Sequence, residues 1–401
     1  MPNAVRPIPQ HPDTSIPRQG LAELAGVFLR LGLTAFGGPA AHIAMMRREF
    51  VERRQWLSDE EYADMIGAAN LVPGPSSTEV AIHVGYRRAG GLGLIIAGLC
   101  FILPAALIVG VIAALYKAYG SLPEARHAMY GIKPVVIAII AQALWGLGKT
   151  VLKKPLPIVL ALGCAAAGYL AVMPLILLLG SGALTGGLAA RSEKSLAGVK
   201  PLLVLLGSVA LVAALPWLLS LMPQANGPPG AGPVFLSFLK IGSVLYGTGY
   251  VLLAFLKSDL VLRHTWLTQG QLLDAVAVGQ FTPGPVFTTA TFIGYVLGGP
   301  VGAVAATVGI FLPAFVFVGI SGRYLRQLRD SPTSAGFLDG VNAAAIGLIA
   351  AVTVQLGREA LIDAVSVGIA AVSLGVLLRF KVNSAWMILA GGVIGMCAAL
   401  R

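Results

Sequence analysis

The chain has 401 residues, 11% of them charged and 57% hydrophobic, with a mean hydropathy of +0.83. Soluble domains carry about 25% charged residues, so a water-soluble fold of this size is excluded. The net charge of +11 is carried in clusters between apolar segments and not among exposed aromatics. That pattern excludes nucleic-acid binding and matches the bias of cytoplasmic membrane loops.

Residues 1–20 are Pro-rich and polar, without the apolar core of a signal peptide. They read as a disordered cytoplasmic tail. Beyond them the chain repeats itself. Residues 28–75 align with 238–285 at a constant offset of 210, with 13 identities in 48 positions, including Trp56 with Trp266 and Pro73-Gly74-Pro75 with Pro283-Gly284-Pro285. A one-residue deletion then changes the offset to 209, which pairs Gly85-Tyr86 with Gly294-Tyr295 and Leu103-Pro104 with Leu312-Pro313. Chance similarity between apolar segments gives scattered Leu and Ala matches, so these in-register motifs mark a duplication. The expected units are 21–190 and 233–401, with 191–232 as a linker.

Each unit opens with an apolar element that ends in a glycine break, Gly37-Gly38-Pro39 in the first copy and Gly247-Thr248-Gly249 in the second. A basic amphipathic stretch follows to Trp56 or Trp266. The next helix starts at Ser58 or Thr268, and Ser58 with Glu61 predicts a capping box. It ends at the Pro-Gly-Pro break, from which another helix leaves. Four more apolar helices are predicted near 92–116, 127–148, 156–171 and 174–190. One unpaired helix at about 201–222 joins the copies. Uncharged runs at 155–190, 201–239 and 275–322 each exceed the roughly 20 residues a spanning helix needs.

The loop charges invert between the copies. Arg87-Arg88 has no charged counterpart, Lys149, Lys153 and Lys154 are answered only by Arg358, and the sparse Lys117 and Arg126 are answered by Arg323, Arg326 and Arg329. The expected fold is an all-α polytopic membrane protein of two inverted-topology repeats, with broken or re-entrant helices and one extra joining helix. Inverted repeats with broken helices are the architecture of secondary transporters, with the site near mid-membrane.

Three constellations could carry chemistry. A Pro-Gly-Pro break inside lipid frees backbone groups and is tolerated only where it is buried or lines a cavity. Ser76, Ser77 and Thr78 follow the first break, and Thr288 and Thr289 the second; a helix N-terminus with hydroxyls suits an anion. A tight turn between two helices would explain the break as well. Arg30 and Lys240 occupy matched positions in otherwise apolar elements, and two cations could face one dianion. Snorkelling to the interface is the alternative. Asn70 and Gln280, three residues before each break, could donate hydrogen bonds. Glu79 and His83, at i and i+4, could carry a proton or form a core ion pair. No metal-ligand spacing and no catalytic motif occurs, so neither a metal, a cofactor nor an enzymatic activity is expected.

FGGPAAHI, the basic stretch to Trp56-Leu57, NLVPGP and the tandem QFTPGP resemble the chromate ion transporter family in its long, two-domain form. The resemblance covers nearly the whole chain after residue 20. It implies a multi-pass cytoplasmic (inner) membrane protein of bacterial type that exports chromate and confers chromate resistance; the polar tail places the expected N-terminus in the cytoplasm. It also makes Gly37, Gly38, Pro39, Pro73, Gly74 and Pro75 motif positions. Sulfate is a further candidate cargo, because it is a tetrahedral dianion of similar size, and a non-transporting membrane scaffold is the reading from another class. A homodimer is left open.

Overall fold

A computed structural model describes residues 18–170, 173–193, 229–246, 249–321, 331–380 and 382–398. The expected joining helix at 201–222, residues 1–17 of the expected tail, Gly247-Thr248 and the Arg323, Arg326 and Arg329 loop lie outside them. Every regular element among the described residues is helical.

The first copy begins with α1 (Arg18–Thr34), which takes in the last three residues of the expected tail. After a turn at Gly37, α2 (Gly38–Arg47) continues into a π-helical segment, Arg48–Arg53. Gly37 and Gly38 sit at φ 100° and 79°, a region that costs an L-residue about 1–2 kcal/mol, and this is why the turn is written with glycines. The two arms run back along each other. Glu23 bonds Arg54, Phe28 lies 5.3 Å from Phe50, and Arg30 bonds Glu49, so the paired residue numbers sum to a nearly constant value. The first element is therefore a doubled-back hairpin.

A second hairpin follows. Ser58 caps α3 (Asp59–Leu71) in a complete capping box with Glu61, as expected. After Pro73-Gly74-Pro75 the chain enters α4 (Ser76–Tyr119), whose first arm, 76–88, returns beside α3 and places Arg87 on Glu61 and Arg88 over Trp56. The backbone then breaks at Ala89-Gly90, where Gly90 has φ 58°. The second arm, 91–119, turns back so closely that Gly85 and Gly93 meet with no room for a side chain. That arm is about 43 Å long, enough to cross a bilayer. Next come α5 (Pro123–Val151), α6 (Pro155–Tyr169) and α7 (Pro174–Glu193).

The second copy repeats the design in α8 (Ala231–Val244), α9 (Leu252–Leu256), a π-helical segment Lys257–Arg263, α10 (Gln269–Phe281), α11 (Thr289–Ser321), α12 (Pro332–Ala360), α13 (Ala364–Arg379) and α14 (Ser384–Ala398). The details recur as well. Gln55 and Thr265, 210 apart, are the two non-glycine residues with positive φ among the described residues. Thr268 and Gln271 form the matching capping box, and Gly298-Gly299 the matching break.

The copies are inverted. α4 and α11 are equivalent helices, yet Gly98 meets Phe315 while Leu94 meets Gly319, so they run antiparallel. A two-fold in the membrane plane produces this; one along the normal would leave equivalent helices parallel. The copies are also exchanged. Gly131 of α5 packs on Gly391 and Gly395 of α14, while Gly340 of α12 packs on Ser181 and Thr185 of α7. Each long helix thus buries its face against the closing helix pair of the other copy. Among the described residues four helices are long and apolar enough to cross a membrane: Ser76–Tyr119, Pro123–Val151, Val286–Ile320 and Pro332–Ala360.

Candidate functional site at the crossing of the hairpin tips

The four hairpin tips meet. The Gly74 N–H donates to the Leu245 carbonyl (2.7 Å), and the Gly284 N–H donates to the Ala35 carbonyl (2.8 Å). These are one bond drawn twice, since 74 and 35 become 284 and 245 on adding 210. Gly74 also lies against Ala314 and Gly284 against Ala105. Each Pro-Gly-Pro break therefore finds a backbone partner in the opposite copy, which answers how it is tolerated in an apolar interior. Gly74 (φ 147°) and Gly284 (φ 87°) need the left-handed half of backbone space and a bare Cα.

Around this shared crossing the two sides differ. At the first break no side chain caps the helix starting at Ser76. Ser77, Thr78 and Glu79 are buried there, with the Ser77 hydroxyl 3.3 Å from His42 Nδ1. Thr78 Oγ1, both Glu79 oxygens, His42 Nε2, His83 Nε2 and the Tyr246 hydroxyl are buried without a hydrogen-bond partner. At the second break the hydroxyls are spent on the break itself. Thr288 donates to the Pro285 carbonyl (2.8 Å) and Thr289 to the Val286 carbonyl (2.7 Å). At offset 210, Leu252 replaces His42 and Phe36 stands opposite Tyr246. The first break keeps open polar capacity that the second lacks.

Arg30 and Lys240 are not brought together. Each is five residues short of its own tip and is engaged inside its own copy. Arg30 bonds Glu49, and Lys240 bonds Asp259; these carboxylates are again 210 apart. Arg30 is 47% exposed and shares the nearly buried Glu49 with Arg53 and Arg54. Burial alone would raise the Glu49 carboxyl; the Arg54 hydrogen bond, the Arg30 charge and the Arg53 hydrogen bond outweigh it and hold Glu49 below its ordinary value. Lys240 is buried and paired with Asp259, whose carboxylate lies 3.9 Å from the His264 ring, and the Arg263 charge also reaches Lys240. The residues missed from the sequence were Glu49 and Asp259. An acidic match at offset 210 was the available signal, but it reads as part of an amphipathic stretch until the hairpin closes over 19 residues.

Asn70 is exposed on α3, whereas Gln280 is buried and hydrogen-bonded to the Tyr250 hydroxyl, which a side chain on Gly38 would meet. Asp274 accepts a hydrogen bond from the Tyr116 hydroxyl (2.8 Å) and forms an ion pair with Lys133 (3.1 Å), both from the other copy. Among the described residues no group of His, Cys, Asp or Glu could hold a metal ion.

Inverted, interlocked helical repeats whose broken helices meet at a partly open polar centre define a membrane transport protein. The chain belongs to the chromate transporter family, whose family profile matches residues 22–186 and 233–396. It is 34% identical over 386 residues to the chromate transport protein of Pseudomonas aeruginosa, covering 94% of this chain and 92% of that one. The chromate transport protein of Cupriavidus metallidurans is 32% identical over 400 residues, covering 97% and 98%. The probable chromate transport protein of Synechococcus elongatus is 34% identical over 354 residues, covering 86% and 87%. These relatives are transport proteins and not enzymes. No solved structure matches the chain.

Proposed function

We propose that the protein exports chromate across the cytoplasmic (inner) membrane and thereby confers chromate resistance, with its N-terminus in the cytoplasm. The observation that carries this reading is the first break: an uncapped helix N-terminus beside buried polar atoms without partners. Such an N-terminus presents free N–H groups and the positive end of the helix dipole. The amides of Ser77 and Thr78, with their hydroxyls and His42, would surround a tetrahedral oxyanion. The names of the relatives supply chromate as the cargo.

Arg30, Arg53 and Arg54 share Glu49, with Glu23 also on Arg54, so the described residues of this mouth keep surplus positive charge that draws the anion in. Outward movement is favoured by the membrane potential. One charge moved through 100 mV is worth about 2.3 kcal/mol, so a dianion leaving a negative interior gains roughly 4.6 kcal/mol.

Everted membrane vesicles test the reading. Those containing the protein should accumulate radiolabelled chromate, with sulfate added to measure competition. Accumulation no greater than in vesicles without the protein would favour a non-transporting scaffold, and faster uptake of sulfate than of chromate would make sulfate the cargo.

A further inference from the structure

Glu79 is the carboxylate that the chromate-export reading leaves unused. It is fully buried on the first arm of α4, and both its oxygens lack a hydrogen-bond donor. Its side chain folds back over the tip, so that a Cβ on Gly74 would fall 2.5 Å from Oε1. From the other copy the Tyr246 hydroxyl comes within electrostatic reach of it and is also fully buried without a partner. The remaining titratable neighbours are His83, one turn on along the same arm, and His42, which faces Ser77 from α2. The α11 side chains packed on this arm, Ala314, Phe315 and Val318, are apolar. Among the described residues Glu79 makes no ion pair. The second break has a threonine at this position and a phenylalanine, Phe292, in place of His83.

A lone ionised carboxylate in such surroundings is too costly to persist, and groups so placed are neutralised. Beside an anion site the cost would be higher still. We infer that the centre at Gly74, Glu79 and Tyr246 binds the oxyanion together with one proton, held between the Glu79 carboxyl and an oxyanion oxygen. The inference rests on the transport reading above and adds the coupled ion. The step balances simply: the carboxylic acid and the dianion become a carboxylate and a monoprotonated oxyanion, with no change at the central atom and no change in total charge. Chromate takes up a proton near neutral pH, whereas sulfate does so only in strong acid. A shared proton therefore favours chromate-like oxyanions over sulfate. The complex leaves with one net negative charge, so a negative interior still favours exit. With no second carboxylate in the matching position, the count is one proton per anion.

The test uses the full chain in proteoliposomes, with the voltage clamped at zero by potassium and valinomycin, a mildly alkaline lumen and an entrapped pH dye. Chromate entry should acidify the lumen by about one proton per chromate. Whatever chromate E79Q admits should enter without acidification, and His83→Gln should keep the acidification. Chromate entry without acidification in the wild type, acidification persisting in E79Q, or its loss in His83→Gln would each overturn the inference while leaving chromate transport intact. Should E79Q carry no chromate, Glu79→Asp decides. Entry with acidification supports the shared proton, and entry without it, or no entry, overturns it. A wild type that carries no chromate at all would defeat the transport reading, and this inference with it.

Discussion

The Gly74 N–H donates to the Leu245 carbonyl across the pseudo-two-fold, and Gly284 repeats the bond with Ala35. A helix break normally leaves backbone groups to be satisfied locally or by water. Here the breaks satisfy one another, so neither copy can complete its own centre.

Gly74→Ala and Gly284→Ala should both reach the membrane and both lose most transport. Left-handed backbone costs an L-residue about 1–2 kcal/mol, and the new methyl groups meet Glu79 in one case and Ala105 in the other. Chromate flux at matched abundance is the measurement. Normal flux in either variant would show that the crossing does not govern transport.

The Lys240–Asp259 pair is expected to act as a tether. Asp259→Asn leaves a buried amine without its counter-charge, and breaking a buried pair costs about 3–5 kcal/mol. The folded fraction in detergent should fall sharply. Lys240→Met combined with Asp259→Leu removes both charges and should restore folding, with flux within about 3-fold of wild type, or less than 1 kcal/mol. Flux lost in a well-folded double variant would place Lys240 on the substrate instead.

Inversion can be read from labelling. In a background without the native cysteines, Thr150→Cys and Glu359→Cys occupy equivalent exposed positions at the ends of α5 and α12. A membrane-impermeant maleimide should reach them from opposite sides of the membrane. Labelling from one side would contradict antiparallel copies.

Much of this architecture is legible in the sequence, because it rests on local rules. Proline and glycine mark the breaks, Ser58 and Thr268 mark helix starts, and loop charge marks inversion. The doubled-back first element was demanded by parity alone. What is hidden depends on closure. Glu49 looks like one charge among arginines until the hairpin brings it to Arg30, and the exchange of Gly74 with Leu245 joins residues 171 positions apart. The unequal filling of the two centres is written at His42, Glu79 and Tyr246, but it means little until the tips are known to meet.

The most direct measurement compares the two breaks. KM for chromate entry into everted vesicles should rise about 10-fold or more in the double variant Ser77→Ala, Thr78→Ala, which loses two donors each worth about 1 kcal/mol. The Thr288→Ala, Thr289→Ala variant should stay within about 2-fold, because those hydroxyls donate to the break's own carbonyls and a 2-fold change is under 0.5 kcal/mol. Equal effects, or a larger effect at the second break, would contradict an oxyanion centre built on the first.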